Sequence, residues 1–384
     1  MDSPTVSFTL SLVAAYIFGV SEDDIVCLED LTVIDEFEET IMESSQSGNV
    51  LENLLDGEIP ATEDSLSKGT IQSYRKVSRY WETLQASPKS SLEKQSEIRV
   101  CSYNVLCQQT TTKTMYLYGH LKWIRCLLQE TYWGCKGWLC SFYQKTKFEV
   151  VSYRIVEYFV APNTSMDRDQ IGQIIRVRCK TTRQELIIAN THLIFNTGRG
   201  DIKIGQLAIL LANIYEVMMS SSSCPLIMTG DFNMEPLSYV YTYLSESRYL
   251  VPYLHFILTI ERIVLVFIVP RPSVPSDYFT HPLILTSVYH HKNSKGKIEI
   301  STYHKDAANP DFIFYSIQQK SRNDQDTKVY ELPNLQLLRR MSLPDLDILQ
   351  STLGPWPNKL VPSDHIPLVA DFLITGGKNN STMR

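Results

Sequence analysis

A chain of 384 residues, 43% of them hydrophobic, can build one large domain or two ordinary ones around a real core. Its net charge of −6 is unevenly spread: residues 1–67 hold sixteen Asp and Glu and no Lys or Arg, so residues 68–384 carry 36 basic against 26 acidic side chains. The eight cysteines include no Cys-x-x-Cys pair and no secretory signal accompanies them, so reduced thiols in the cytoplasm (or the nucleus) are expected, not a disulfide frame.

The first segment with a pattern is FTLSLVAAYIFGV (8–20). Its Met-Asp-Ser-Pro start lacks the basic residues of a signal peptide, and the run is too short to span a bilayer. A buried or interfacial helix is expected there, with no integral membrane insertion. Residues 1–70 read as an acidic, largely flexible leader. An acidic leader ahead of a basic body suits a body that meets a polyanion, with the leader solvated, self-screening or bound to a protein partner. Ordinary charge fluctuation is the competing explanation. Next, SYRKVSRYWETL (73–84) predicts a short amphipathic helix within a linker over 71–96, and residues 377–384 read as a tail.

From residue 97 the texture changes. EIRVCSYNVL, FEVVSYRIVEYFV, QIIRVRCK, QELIIANTHL, CPLIMTGDFN, PDFIFYS and IPLVADFLI are β-branched or alternate as strands do. RGDIKIGQLAILLANIYEVMM (199–219) has apolar residues at 204, 207, 208, 210, 211, 214 and 217, which is helical spacing. Asp201 is favoured as its N-cap. Arg199, Lys203 and Gln206 either reach substrate or sit on a solvated helix face. Strands interleaved with a few helices predict an α/β, two-layer β-sandwich architecture over 97–376. The apolar run 249–270 keeps Glu261 and Arg262 at its centre, so a buried strand or helix is expected in place of a membrane span.

Five apolar runs end in a defined polar set: Ser102-Tyr103-Asn104, Asn190-Thr191-His192, Asp231 with Asn233, Asp311, and Ser363-Asp364-His365. One such end is a turn in which Asp or Asn bonds its own backbone. Five are better explained by strands that converge on a site. The residue types suit phosphate-ester hydrolysis. A hard cation such as Mg²⁺ takes few carboxylate or amide oxygens and keeps its waters. A water nucleophile needs a carboxylate in reach, and charge building on phosphoryl oxygens needs His and Asn donors.

SYNVL, LLQE, NTHL, GDFN, DFIF and SDHIPL occur in the order found in the endonuclease/exonuclease/phosphatase superfamily. NTHLIFNTGRGDIKIGQLAILLANI and TSVYHHKN…STYHKDAANPDFIFYS further resemble the Angel branch of its Nocturnin-type deadenylase class. The resemblance covers residues 97–376 and implies the fold of that superfamily, a two-layer sandwich flanked by helices. It also implies roles. Asn104 would assist metal or water placement, Glu130 would be the principal Mg²⁺ ligand, and Asp364 would lie beside the metal. Asp231 would orient or deprotonate the attacking water, with Asn233 holding the phosphate. His365, oriented by Asp311, would contact the scissile phosphate, and His192 would add a donor to the phosphoryl oxygens. A satisfied core histidine is the alternative for His192. No ligand spacing marks His281, His290, His291 or His304.

The chain departs from the pattern at Glu130. Only 26 residues separate it from Asn104, and a strand–helix–strand crossover needs roughly 30 or more. YLYGHLKWIRCLLQE moreover reads as one helix running into the glutamate. Either CLLQE is a strand end after an abbreviated crossover, or LLQE belongs to the helix and the true strand with its Glu is absent. The resemblance implies an Mg²⁺-dependent hydrolase of RNA 3′ ends, either a 3′-to-5′ exoribonuclease of the deadenylase type or a 2′,3′-cyclic phosphatase. A catalytically weak RNA-binding or adaptor protein that keeps the fold is the alternative, and a phosphoinositide or small-phosphate esterase the third.

Overall fold

The computed structural model describes residues 24–27, 79–85, 94–104, 139, 141–220, 224–250, 278–321, 327–352, 355–357 and 363–376. In chain order the first strands are β1 (Ile25–Cys27), β2 (Trp81–Thr83), β3 (Gln95–Ser102), β4 (Phe142–Gln144), β5 (Phe148–Glu157), β6 (Ile171–Cys179) and β7 (Glu185–His192). Helix α1 (Gly200–Met219) leads to β8 (Leu226–Asp231), and α2 (Tyr239–Glu246) to β9 (Arg248–Leu250), β10 (Tyr278–Thr280) and β11 (Leu285–Ser287). Then come β12 (Thr302–Tyr303), β13 (Ala307–Ala308), β14 (Asp311–Ser321), β15 (Thr327–Glu331), β16 (Leu335–Met341), helix α3 (Leu346–Thr352) and β17 (Leu368–Thr375).

Two sheets dominate. One has seven strands in the order β11-β14-β8-β7-β6-β5, with β15 paired to the far half of β14. The other has the order β2-β16-β17-β3. One apolar cluster, including Ile175, Ile227, Ile313, Leu337, Leu368 and Phe372, lies between them. A second, including Leu207, Leu210, Ile214, Met228, Phe312 and Phe314, joins the outer face of the larger sheet to α1 and α2. That is the two-layer sandwich with flanking helices that the pattern predicts.

The central strands are apolar without alternation because both of their faces are covered. Every residue of β8 is buried, Leu226 and Met228 against the helices and Ile227 against the second sheet. Gly230 sits at φ 140°, and a Cβ there would stand 1.9 Å from the Thr191 carbonyl oxygen. Only glycine lets β8 come this close to β7 at its C-terminal end. Helix α1 is long and apolar enough to cross a bilayer, yet it is mostly buried, as a core helix is.

Some expectations are corrected. The helix predicted over 73–84 is, in its described part, strand β2, which pairs with β16. The Trp81 ring is held between the guanidinium groups of Arg99 at 4.8 Å and Arg339 at 4.5 Å, both bonded to Asp371. These tertiary contacts override the local helical pattern. Within the expected flexible leader, β1 pairs antiparallel with β4. The N-cap of α1 is Arg199; Asp201 lies inside the first turn, bonded to the Arg199 guanidinium at 2.8 Å. Of the apolar run 249–270, Tyr249 and Leu250 belong to β9, paired with β10. The stretch 8–20, Glu130 and residues 251–270 lie outside the described residues.

Candidate active site

Strand register alone assembles half of the site. Antiparallel pairing sets Asp311 of β14 opposite Asp231 of β8, and parallel pairing sets His192 of β7 opposite the same Asp231. Alternation puts Asp231 on the face of Ile227, toward the second sheet. The other half comes from that sheet. Asn104 lies two residues past β3 and His365 three before β17, and β3 and β17 pair with Ser102 opposite Leu368. Both therefore emerge at the end where Asp231 waits.

Three nitrogens converge on Asp231 Oδ2: Asn104 Nδ2 at 2.8 Å, His192 Nε2 at 3.5 Å and His365 Nε2 at 3.8 Å. The other face of the His365 ring is fixed, because Nδ1 donates to Asp311 Oδ2 at 2.7 Å. That oxygen also accepts from Ser301 Oγ at 2.6 Å. Asp364 Oδ1 lies 3.9 Å from His365 Nε2. Ser363 Oγ donates to the Asn104 carbonyl at 2.7 Å and accepts from the His365 amide at 3.2 Å, which ties the two arms together. Thr302 Oγ1 holds the Asp364 carbonyl at 2.7 Å.

Burial opposes a charged His365, but Asp311, Asp231 and Asp364 override it and push its pKa up to about 10. Burial likewise raises the Asp311 carboxyl, partly offset by His365. The pair therefore holds a proton tightly. Burial lowers the Lys203 pKa, while Asp231 and Glu235 act in the other direction.

The expected residues other than Glu130 can now be placed. Asn104, His192, Asp231, Asp311, Asp364 and His365 meet in one cluster. His192 is no core histidine, since its side chain is 36% exposed at the cluster's mouth. Asn233 departs from its expected geometry. It lies past the end of β8 at φ 49°, so it does not share an extended face with Asp231. Its backbone N–H donates to Asp231 Oδ1 at 2.9 Å, an Asx turn, and its Nδ2 donates to the Leu193 carbonyl at 2.9 Å. The stretch is thus a turn that also brings Asp231 into the cluster, and the Asn233 side chain keeps its oxygen and its second N–H beyond the bond to Leu193. Glu130 lies outside the described residues. The solvated-face alternative for Lys203 and Gln206 fails, because both are buried. Ser363 opens the SDHIPL motif but was given no role there, and Ser301 carries no sequence signal beyond lying near the motifs.

The cluster suits a hard divalent cation. Asp231 and Asp364 offer carboxylate oxygens and Asn104 an amide, while Asp231, Asp311 and His365 bring ligand atoms within 4.8 Å of one another.

No family model matches the chain. It is 31% identical over 394 residues to protein angel homolog 2 of Danio rerio, covering 77% of this chain and 69% of that protein. Protein angel homolog 2 of Bos taurus is 27% identical over 432 residues, covering 83% and 78%. Among solved structures, the chain is similar to ANGEL2, a 2′,3′-cyclic phosphatase, in complex with adenosine-2′,3′-vanadate. The TM-score is 0.58 at 27% identity, over 77% of this chain and 99% of that one.

Proposed function

The chain belongs to the Angel family of the endonuclease/exonuclease/phosphatase superfamily, and from that premise we propose that it is a metal-dependent hydrolase of phosphate esters at RNA 3′ ends, opening or removing a 2′,3′-cyclic phosphate. The carrying observation is the convergence of Asn104, His192 and His365 on one oxygen of Asp231. A carboxylate that accepts one amide N–H and has two imidazole nitrogens beside it is what a water nucleophile and a phosphoryl group need side by side.

In this reading a water bound at Asp231 gives up its proton to the carboxylate as its oxygen bonds to phosphorus, the P–O bond to one ribose oxygen breaks, and that leaving oxygen takes up a proton from solvent. Asp311 fixes the His365 ring so that Nε2 faces the phosphoryl oxygens, where it meets the charge that builds there. Asn104 and His192 add donors on either side. Mg²⁺, when bound, supplies polarisation of the phosphoryl oxygens and offsets their charge. Asn104 and Asp364 would hold it, with Glu130 as the charged ligand that the family resemblance implies. Phe195, 82% exposed three residues after His192, offers an aromatic face on which a terminal base can stack. The similarity to ANGEL2 favours the cyclic-phosphate substrate over shortening of an adenosine tail.

The test uses two short RNAs, one with a 2′,3′-cyclic phosphate and one with a 3′-hydroxyl adenosine tail, incubated with protein in Mg²⁺ or EDTA. Loss of the cyclic phosphate alone, dependent on Mg²⁺, is expected. Tail shortening would make the protein an exoribonuclease instead. No change in either RNA would favour a binding or adaptor protein that keeps the fold.

A further inference from the structure

Behind the cluster, on the side away from the second sheet, the first two turns of α1 press two polar side chains into the loops that follow β7 and β8. Lys203 is 3% exposed and Gln206 is 0% exposed. They stand three residues apart, on one face of the helix. The Lys203 Nζ donates to the backbone carbonyl of Asn233. Gln206 Oε1 accepts the backbone N–H of Ile194 at 3.0 Å, and its Nε2 donates to Gln170 Oε1 at 3.1 Å. Neither side chain touches a reacting group. Each grips the backbone just past a strand that ends in one, Ile194 after His192 and Asn233 after Asp231.

These grips meet a geometric need. Asn233 is held at φ 49°, a conformation that L residues adopt at a cost and keep only where their surroundings impose it. Its backbone N–H lies on Asp231 Oδ1, so turning that peptide would free the carboxylate to rotate away from Asn104 and His365. The same turn is sewn to the neighbouring loop by Asn233 Nδ2 on the Leu193 carbonyl, and Leu193 N in turn donates to the Asp231 carbonyl at 3.0 Å. An ammonium sunk into the core is costly unless it is paired and hydrogen-bonded, so an apolar residue would serve packing alone at less cost.

We propose that Lys203 and Gln206 are positioning residues that clamp the two strand-end loops from behind, Lys203 fixing the left-handed Asn233 turn that aims Asp231, and Gln206 fixing the loop after His192. The kinetic consequence rests on the hydrolase reading above; the structural consequence does not.

Lys203→Met keeps the stem and removes the donor, and Lys203→Arg restores one. Three readouts separate a clamp from core filler: hydrogen–deuterium exchange over residues 231–237, thermal unfolding, and kcat with KM on the cyclic-phosphate RNA. The methionine variant should exchange faster over 231–237 than wild type while β6 stays protected. Its kcat should fall about 100-fold, as sub-ångström to ångström misplacement does, with KM held within about twofold. Arginine should recover part of both effects. Unchanged exchange over 231–237, or a loss of protection spread evenly over both sheets, would overturn the clamp. If wild type cleaves neither RNA, the hydrolase reading falls and the exchange result alone decides. Should Lys203→Met fail to fold, Gln206→Met, a neutral near-isostere, carries the same exchange test on residues 193–197.

Discussion

His192, Asp231 and Asp311 reach the site along one row of the seven-stranded sheet, whereas Asn104, Asp364 and His365 reach it from segments beyond the strand ends of the four-stranded sheet. In the first half the backbone ladder fixes position, and a side chain can be changed without moving its Cα. In the second half position depends on a few side-chain bonds: Ser363 to Asn104, Thr302 to Asp364, and Asp311 to His365. Mutation should therefore separate the halves. Changes in the row should remove chemistry and spare the fold, and changes around the loops should displace groups that remain present.

The sharpest case is Asp231→Ala. It removes the carboxylate on which three nitrogens converge, and cyclic-phosphate hydrolysis should fall by about 10³-fold, within the range for a lost general base. Thermal stability should change little, because the backbone ladder of β7, β8 and β14 fixes this end of the row whatever side chain stands there. A large loss of melting temperature would show that the row is not independent of its side chains.

Asp311→Asn tests the bond between the halves. Activity should fall about 10²-fold as His365 loses its orienting acceptor. The variant also carries a pH signature. His365 is raised from 6.5 to about 10 in the fold, so its contribution to stability is complete below about pH 6.5 and is lost as pH rises through about 10. The raised Asp311 carboxyl has the same sign, since the folded pair binds protons that the unfolded chain releases. In EDTA, the unfolding free energy of wild type should drop by on the order of 3 kcal/mol between pH 7 and 10. Urea titrations should show most of that slope gone in Asp311→Asn.

Ser363→Ala comes next. The hydroxyl joins the Asn104 carbonyl to the His365 amide, so its loss should loosen two groups without deleting either. A tenfold drop in kcat, about 1.4 kcal/mol, is expected with KM little changed. An effect as large as that of Asp231→Ala would mean that the loop half is the more demanding of the two.

Most of the site was legible in the sequence, because Asn104, His192, Asp231, Asp311 and His365 each close or open an apolar run, and strand ends are where a sandwich collects its polar groups. Asn233 was legible as a site residue and misread in geometry: two residues share a face only while the strand continues, and β8 stops at Asp231. Lys203 and Gln206 were read as either reaching substrate or lying on a solvated helix face, and neither reading allowed for a buried bond to the backbone of a neighbouring loop. The overlooked signal is that Ile202, Ile204 and Leu207 surround them, so the first turns of α1 are buried on every side. β16 and β2 escaped for a different reason. LQLLRRM puts two arginines in a strand, and WET is three residues long; each is stable only through partners far along the chain.

Trp81→Ala is the control that closes the comparison. Trp81 lies on β2, which β16 and β17 separate from β3 and the Asn104 arm, between Arg99 and Arg339, with Asp371 bonded to both cations. Removing the ring leaves the two guanidinium groups on Asp371 but strips the apolar surface on which they lie, at a cost of about 1–2 kcal/mol. The site should not feel it. β3 is held along its whole length by β17, with eight residues in register from Gln95 to Ser102, so Asn104 keeps its anchor when β2 loosens. Unfolding should therefore shift while kcat and KM stay within about twofold of wild type. A fall in kcat would mean that β2, three residues far from the chemistry, helps to set the position of Asn104, and that the four-stranded sheet works as one lever from its edge to the site.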